Sequence, residues 1–275
     1  MIFKYYNLKL FFILFLYYCY KNKKNINSIN KYDKYSIDIN YIKSLKKVVY
    51  TALIGKYDDI STINIEKGYD YFIFTDQIPE NKKTNWTILN IEKNINFSNK
   101  LEVLKLQRFY KTHPHIYFEN YDLSIYVDTT FEIFGNLDNF LLRILSPNKC
   151  IYSLEHPNRN SIYNEFGAVL FIQKETEENI KFIDKRYKKE GFPKNYGLSE
   201  NCLIVRKHND YNCINLMNLW YFEIEHYSYR DQLSFNYILW KINKSKIIKY
   251  ISKNVLFEYF NQKNFHLLNF NFKNY

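Results

Sequence analysis

Leu123-Ser124-Ile125-Tyr126-Val127-Asp128-Thr129-Thr130 reads as a buried β-strand that runs straight into a polar end. Strands buried on both faces are typical of parallel sheets, and open α/β sheets hold their functional groups just beyond the strands' carboxyl ends. Two upstream runs have the same form. Val48-Val49-Tyr50-Thr51-Ala52-Leu53-Ile54 is stopped by Gly55, and Tyr71-Phe72-Ile73-Phe74 is stopped by Thr75-Asp76. Between Asn99 and Thr112, Val103, Leu106 and Tyr110 follow a helical spacing, Lys105 and Arg108 share another face, and Pro114 ends the run. Strand, strand, helix, strand predicts a single α/β domain with a mixed, mostly parallel sheet flanked by helices.

The rest of the chain is divided around that domain. With 275 residues, 47% of them apolar, there is material for one core and a small tail. Residues 1–20 carry an apolar stretch between basic flanks and read as an uncleaved signal anchor. A cleaved signal peptide and a buried helix are the alternatives, since the stretch is short for a membrane span and lacks a small-residue cleavage site. Residues 21–46 read as a polar linker or stalk, 47–250 as the catalytic domain and 251–275 as a tail packed on it. This layout predicts single-pass membrane anchoring through residues 2–20, in the secretory pathway, or otherwise a cytoplasmic protein. The net charge of +11 comes from Lys spread along the chain rather than clustered, so no nucleic-acid partner is expected. Cys19, Cys150, Cys202 and Cys213 form no C-x-x-C pair, which gives neither a zinc nor a redox motif.

No glycine-rich phosphate loop follows any strand, which argues against dinucleotide oxidoreductases and P-loop enzymes. A nucleotide would then be held through carboxylates, a cation and basic side chains. Asp128 is either a turn former or a ligand for a divalent cation, Mn or Mg, on a donor diphosphate. Thr130 stands where a second carboxylate would serve better. Asp76 is either an Asx-type cap or a partner for the donor's base or ribose. Lys105 and Arg108 are placed to meet diphosphate oxygens. Ser228 and Asp231 fit a capping box, while Arg230, Asp231 and Gln232 gather a cation, a carboxylate and an amide at a helix start. His113-Pro114-His115 reads as a surface connector. His156 and His208, after strand-like runs, are the better candidates for ligand contact.

Taken in order, Val49 to Asp58, Phe74-Thr75-Asp76, Lys105 to Pro114, Tyr126-Val127-Asp128, His156-Pro157-Asn158-Arg159 and Ser228 to Phe235 resemble the glycosyltransferase-like family named after plant turgor-regulation and mucilage-related proteins. The resemblance covers about residues 47 to 242, and Arg230-Asp231-Gln232-Leu233-Ser234-Phe235 is its most telling piece. It implies a GT-A-like fold and transfer of a sugar from a nucleotide-sugar donor to a glycan or other hydroxyl acceptor. It places Thr51, Ala52, Tyr57, Asp76, Lys105, Arg108 and Asp128 at the donor, and Asp128, Thr130 and His208 at the cation. It assigns Asp231, Arg230 and Glu165 to catalysis, with Asp231 as the acceptor-side carboxylate, and His156, Arg159, Asn201 and Gln232 to the acceptor side. Two alternatives come from other classes: a lipid amide (ceramide) hydrolase, and a non-catalytic sugar-nucleotide-binding protein with the same fold.

Overall fold

The computed structural model describes residues 37–55, 60, 62–77, 84–91 and 99–262. The anchor expected in residues 1–20, Tyr57 and the end of the C-terminal tail lie outside the described residues. Among the described residues no helix is long and apolar enough to cross a membrane.

The described elements follow as α1 (Ile39–Ser44), β1 (Lys47–Leu53), β2 (Tyr69–Thr75), β3 (Thr87–Asn90), α2 (Lys100–Thr112), α3 (Pro114–Tyr117), β4 (Leu123–Val127), β5 (Phe131–Ile133), α4 (Leu137–Ile144), β6 (Ile151–Glu155), α5 (Ile162–Phe171), α6 (Glu177–Glu190), β7 (Ser199–Arg206), α7 (Tyr211–His226), α8 (Phe235–Lys241), β8 (Ile248–Ile251), α9 (Lys253–Phe257) and β9 (Phe260–Gln262). Seven strands form one sheet in the order β3-β2-β1-β4-β7-β6-β8, and β5 pairs with β9 in a separate ribbon. All pairings in the large sheet are parallel except those of β7, which runs antiparallel to both β4 and β6. This is the mixed, mostly parallel sheet that the strand runs predict.

Alternate residues of each strand feed two cores on opposite faces. Tyr50, Phe74 and Tyr126 point to one, under α2 and α5 to α8, with Trp220 fully buried beside them. Val49, Ile125 and Val205 point to the other, under α1, α4, α9 and the β5–β9 ribbon. The start of α2 is set by Asn99, whose Oδ1 accepts from the amides of Leu101 and Glu102 at 3.2 and 3.4 Å, and Pro114 opens α3 at its first turn.

Three sequence expectations are corrected here. Part of the stretch read as linker is structured: the packed domain begins at Ile37, because Ile42 of α1 is fully buried and its carbonyl accepts from the buried Lys47 ammonium at 2.7 Å. Ser228 and Asp231 do not form a capping box. The Ser228 hydroxyl accepts from the Arg230 amide at 3.2 Å, and the short 3-10 turn Asp231–Leu233 precedes α8 without a side-chain cap. Finally, His113 is buried rather than a surface connector. It stacks on Phe109 with ring centroids 4.3 Å apart.

Candidate functional site

Strand order reverses between β1 and β4: the chain continues from β1 outward to β2 and β3, and from β4 outward in the other direction. Crevices for ligands open at such switch points, outside the carboxyl ends of the parallel strands. Because β7 is antiparallel, its amino end joins that same edge. Gly55, Asp76, Asp128, the Ser199-Glu200 start of β7, the loop after Glu155 and Ser252-Lys253 after β8 therefore share one rim.

Asp128 is both a turn residue and an open carboxylate. Its carbonyl accepts from the Phe131 amide at 3.0 Å, and its amide donates to Cys202 O at 2.8 Å. The side chain is 29% exposed, with Oδ1 accepting the Tyr126 hydroxyl at 2.6 Å. The Tyr126 hydroxyl in turn accepts from Gln107 Nε2 at 2.8 Å, which also donates to the Ala52 carbonyl at 3.2 Å. One α2 glutamine thus ties the ends of β1 and β4 together across the switch point.

One turn further along α2, the buried Lys111 ammonium lies 2.6 Å from Asp231 Oδ2 and 3.9 Å from Asp128 Oδ1. Arg108 Nε is 3.6 Å from the same Asp231 oxygen. Burial alone would raise the Asp231 carboxyl, but Arg108, Lys111 and Arg230 hold it well below the usual carboxylate range. Burial works against the Arg108 charge too, and Asp231 with Asp128 raises its pKa nonetheless. The backbone of Lys111 is anchored from below: its carbonyl accepts from Tyr50 Oη and from Arg206 Nη1, both at 2.8 Å, and Arg206 also donates to the Tyr50 hydroxyl. Its ammonium is thereby fixed toward the rim.

On the other flank, Glu165 is buried and accepts from Arg159, with His156 Nε2 3.9 Å away. His156 Nδ1 accepts the amides of Asn158 and Arg159 at 3.2 and 3.0 Å. Burial, helped by Arg159 and Lys253, pushes its pKa down to about 4, so the ring is a neutral hydrogen-bonding group near neutral pH. His156 and Arg159 border an open cavity of about 590 Å³ lined by residues 155–160, Asn164, Ser252 and Lys253. Its size is in the range of small-ligand pockets, and its wall of amides and charges suits a hydroxyl-rich ligand.

The remaining candidates fall in three places. Asp76 Oδ1 accepts the Gly55 amide at 3.0 Å and so clamps the ends of β1 and β2. Thr51 is buried in β1, its hydroxyl without a hydrogen-bond partner among the described residues, and Thr130 sits half-buried in the turn after Asp128. Asn201 is buried and accepts from Ser153 Oγ at 3.2 Å, while Gln232 donates to Ser199 O at 3.2 Å and links the Asp231 turn to β7. Lys105 is committed elsewhere: its ammonium donates to Glu225 O, near the end of α7, at 2.5 Å. The placement of His208 at the cation is overturned. Ser124 pairs with Arg206 and Val127 with Leu203, so His208 follows β7 at the opposite edge of the sheet from Asp128, buried, with Nε2 against Phe118 O at 2.8 Å. Among the described residues no three His, Cys, Asp or Glu side chains gather as a metal site. Gln107, Lys111 and Glu200 escaped the sequence reading. The helical step from Arg108 to Lys111 carried a signal for one of them.

The sequence matches the family described as TOD1/MUCI70, glycosyltransferase-like domain, over residues 19–269. The chain belongs to that family. No curated protein matches it. Among solved structures, the apo structure of the WbbM bifunctional glycosyltransferase is similar over 76% of this chain, at 12% identity and a TM-score of 0.43, and this chain spans 39% of that one.

Proposed function

We propose that this member of the TOD1/MUCI70 family transfers a sugar from a nucleotide-sugar donor to a hydroxyl acceptor, with the donor diphosphate lying over the β1–β4 switch point. The observation that carries this reading is the cluster of Arg108, Lys111 and Asp231 beside the open Asp128 carboxylate. Cations anchored at the place where charge grows on a leaving diphosphate stabilise the transition state without reorganising. In this arrangement Asp231 positions Lys111 and Arg108 for the donor; ion-paired and buried, it is a poor acceptor of protons.

A divalent cation fits as a companion of the donor. Magnesium and manganese are held by one or two carboxylates plus substrate phosphates, and among the described residues no hydrogen bond reaches Asp128 Oδ2. Asp128, with Thr130 two residues on in the same turn, is the group that would hold the ion, which would supply charge neutralisation on the leaving phosphate. The acceptor occupies the cavity bordered by His156 and Arg159, with Glu165 orienting Arg159. The anchor segment, the sugar class and secretory localisation belong to the same proposal.

Thermal-shift measurements with a panel of nucleotide sugars, with and without manganese, test it. A donor that binds only the folded state raises the melting temperature in proportion to its affinity. Asp128→Asn is expected to lower donor turnover at least about 100-fold while the melting temperature of the free protein stays within a few degrees of wild type. Full activity in that variant, or no donor-induced shift in wild type, would sink the proposal. Fatty-acid release from ceramide without a nucleotide sugar is the result expected of a lipid amide hydrolase instead.

A further inference from the structure

We propose that Glu200 is the side chain that takes the proton from the attacking acceptor hydroxyl. This inference rests on the glycosyltransferase reading above. An acceptor-side base must reach the rim beside the donor, be open to the crevice, and be free of a tight ion pair. Five other carboxylates near that rim are less suited. Asp231 is buried against Lys111 and Arg108, Glu165 is buried against Arg159, and Asp76 holds the Gly55 amide. Asp128 is as open and as loosely paired as Glu200, but the reading above commits it to the donor, and the exposed Glu155 lies on β6, one strand further from β4.

Glu200 meets all three. It lies on β7, the strand next to β4 and about 5 Å from it, two residues nearer the rim than Cys202, whose carbonyl receives the Asp128 amide. On its other side Leu154 of β6 is its pairing partner, and the cavity begins at the next residue, Glu155. The side chain is 30% exposed, and its nearest ionic partner is the cavity-lining Lys253 at a loose 3.9 Å. Among the described residues no donor hydrogen-bonds to its carboxylate. Glu200 thus stands between the donor edge and the acceptor cavity. Burial raises its carboxyl pKa, Lys253 and Arg159 oppose that, and Asp128 and Glu165 reinforce it, which makes it a better base than an ordinary glutamate.

The step balances as a single displacement. The acceptor oxygen forms a bond to the anomeric carbon as that carbon's bond to the donor phosphate oxygen breaks. The electron pair leaves with the nucleoside diphosphate, the acceptor proton passes to Glu200, and Glu200 returns it to water. A side-chain base acting this way inverts the anomeric centre.

The test uses the full chain with UDP-glucose, UDP-galactose, UDP-N-acetylglucosamine and GDP-mannose, manganese, and water as the acceptor probe. Nucleoside diphosphate release and donor-induced thermal shift are read in wild type, Glu200→Gln and Glu200→Ala. The expected result is release at least about 100-fold slower in both variants, with the donor-induced shift unchanged. Azide, a nucleophile that needs no deprotonation, is expected to restore release in Glu200→Ala and to give a glycosyl azide of inverted configuration. Unchanged release in Glu200→Gln, or loss of the donor shift with no azide rescue, overturns the role of Glu200 and leaves the glycosyltransferase reading standing. Wild type that binds none of these donors, or binds without turnover, overturns the inference through the reading on which it rests.

Discussion

Lys111 and Asp231 meet at 2.6 Å although 120 residues separate them, and neither side chain is more than 8% exposed. Breaking such a pair from one side strands a buried charge, which costs about 3–5 kcal/mol, whereas replacing both partners with apolar residues costs less. Asp231→Asn is therefore expected to lower unfolding free energy by roughly that amount in urea titrations at neutral pH, and Lys111→Met in the same chain to restore part of it. The pH dependence has a definite sign. The folded Asp231 pKa lies below its unfolded value of about 3.9, so its stabilisation is present above that pH and is lost as pH falls further. Wild type should lose stability more steeply than Asp231→Asn below about pH 4; parallel curves would refute the assignment. At this scale Asp128 was legible, because a carboxylate closing an apolar strand is a local pattern. The Lys111–Asp231 pair was not, since nothing local in either segment names the other.

At the scale of elements, α2 carries the site. Its apolar positions Val103 and Tyr110 bury it on the sheet, and Gln107, Arg108 and Lys111 then face the rim. The helical spacing of the apolar residues was readable, but which polar residues it aimed at the crevice depended on rotation of the helix against β1 and β4. Lys105, one turn earlier, was turned toward α7 instead. A second element junction gives an independent prediction. Gly135, between β5 and α4, is approached so closely by β9's leading turn that an added Cβ would lie 2.7 Å from Tyr259 Cα and 3.1 Å from Glu258 O. Its amide also donates to Tyr259 O at 3.1 Å, so the backbone has little freedom to withdraw. Gly135→Ala should destabilise by about 1–3 kcal/mol, read as a lower melting temperature.

Across the whole molecule, burial of histidine predicts acid sensitivity. His113 and His208 are held at about 4, and His115 lower, at about 3, by burial first and then by neighbouring positive charge, including Arg206. Each folded pKa lies below the unfolded value of about 6.5, so the stability tied to the neutral rings is full above that pH and falls as acid is added. With His156, also pushed down to about 4, four such groups give a slope of as much as about 5 kcal/mol per pH unit between pH 6.5 and 4. Urea unfolding across that range measures it, and His208→Gln should flatten the curve. These same histidines show where sequence reading stops. The amino-acid sequence by itself determined the strand runs, their polar ends, the amphipathic α2 and hence an α/β sheet with chemistry at one edge, because burial periodicity is local. Only the tertiary structure decided that β7 enters antiparallel between β4 and β6. That single reversal carries His208 to the far edge and brings Glu200 beside Asp128, because strand order and direction are set by packing between segments distant in the chain.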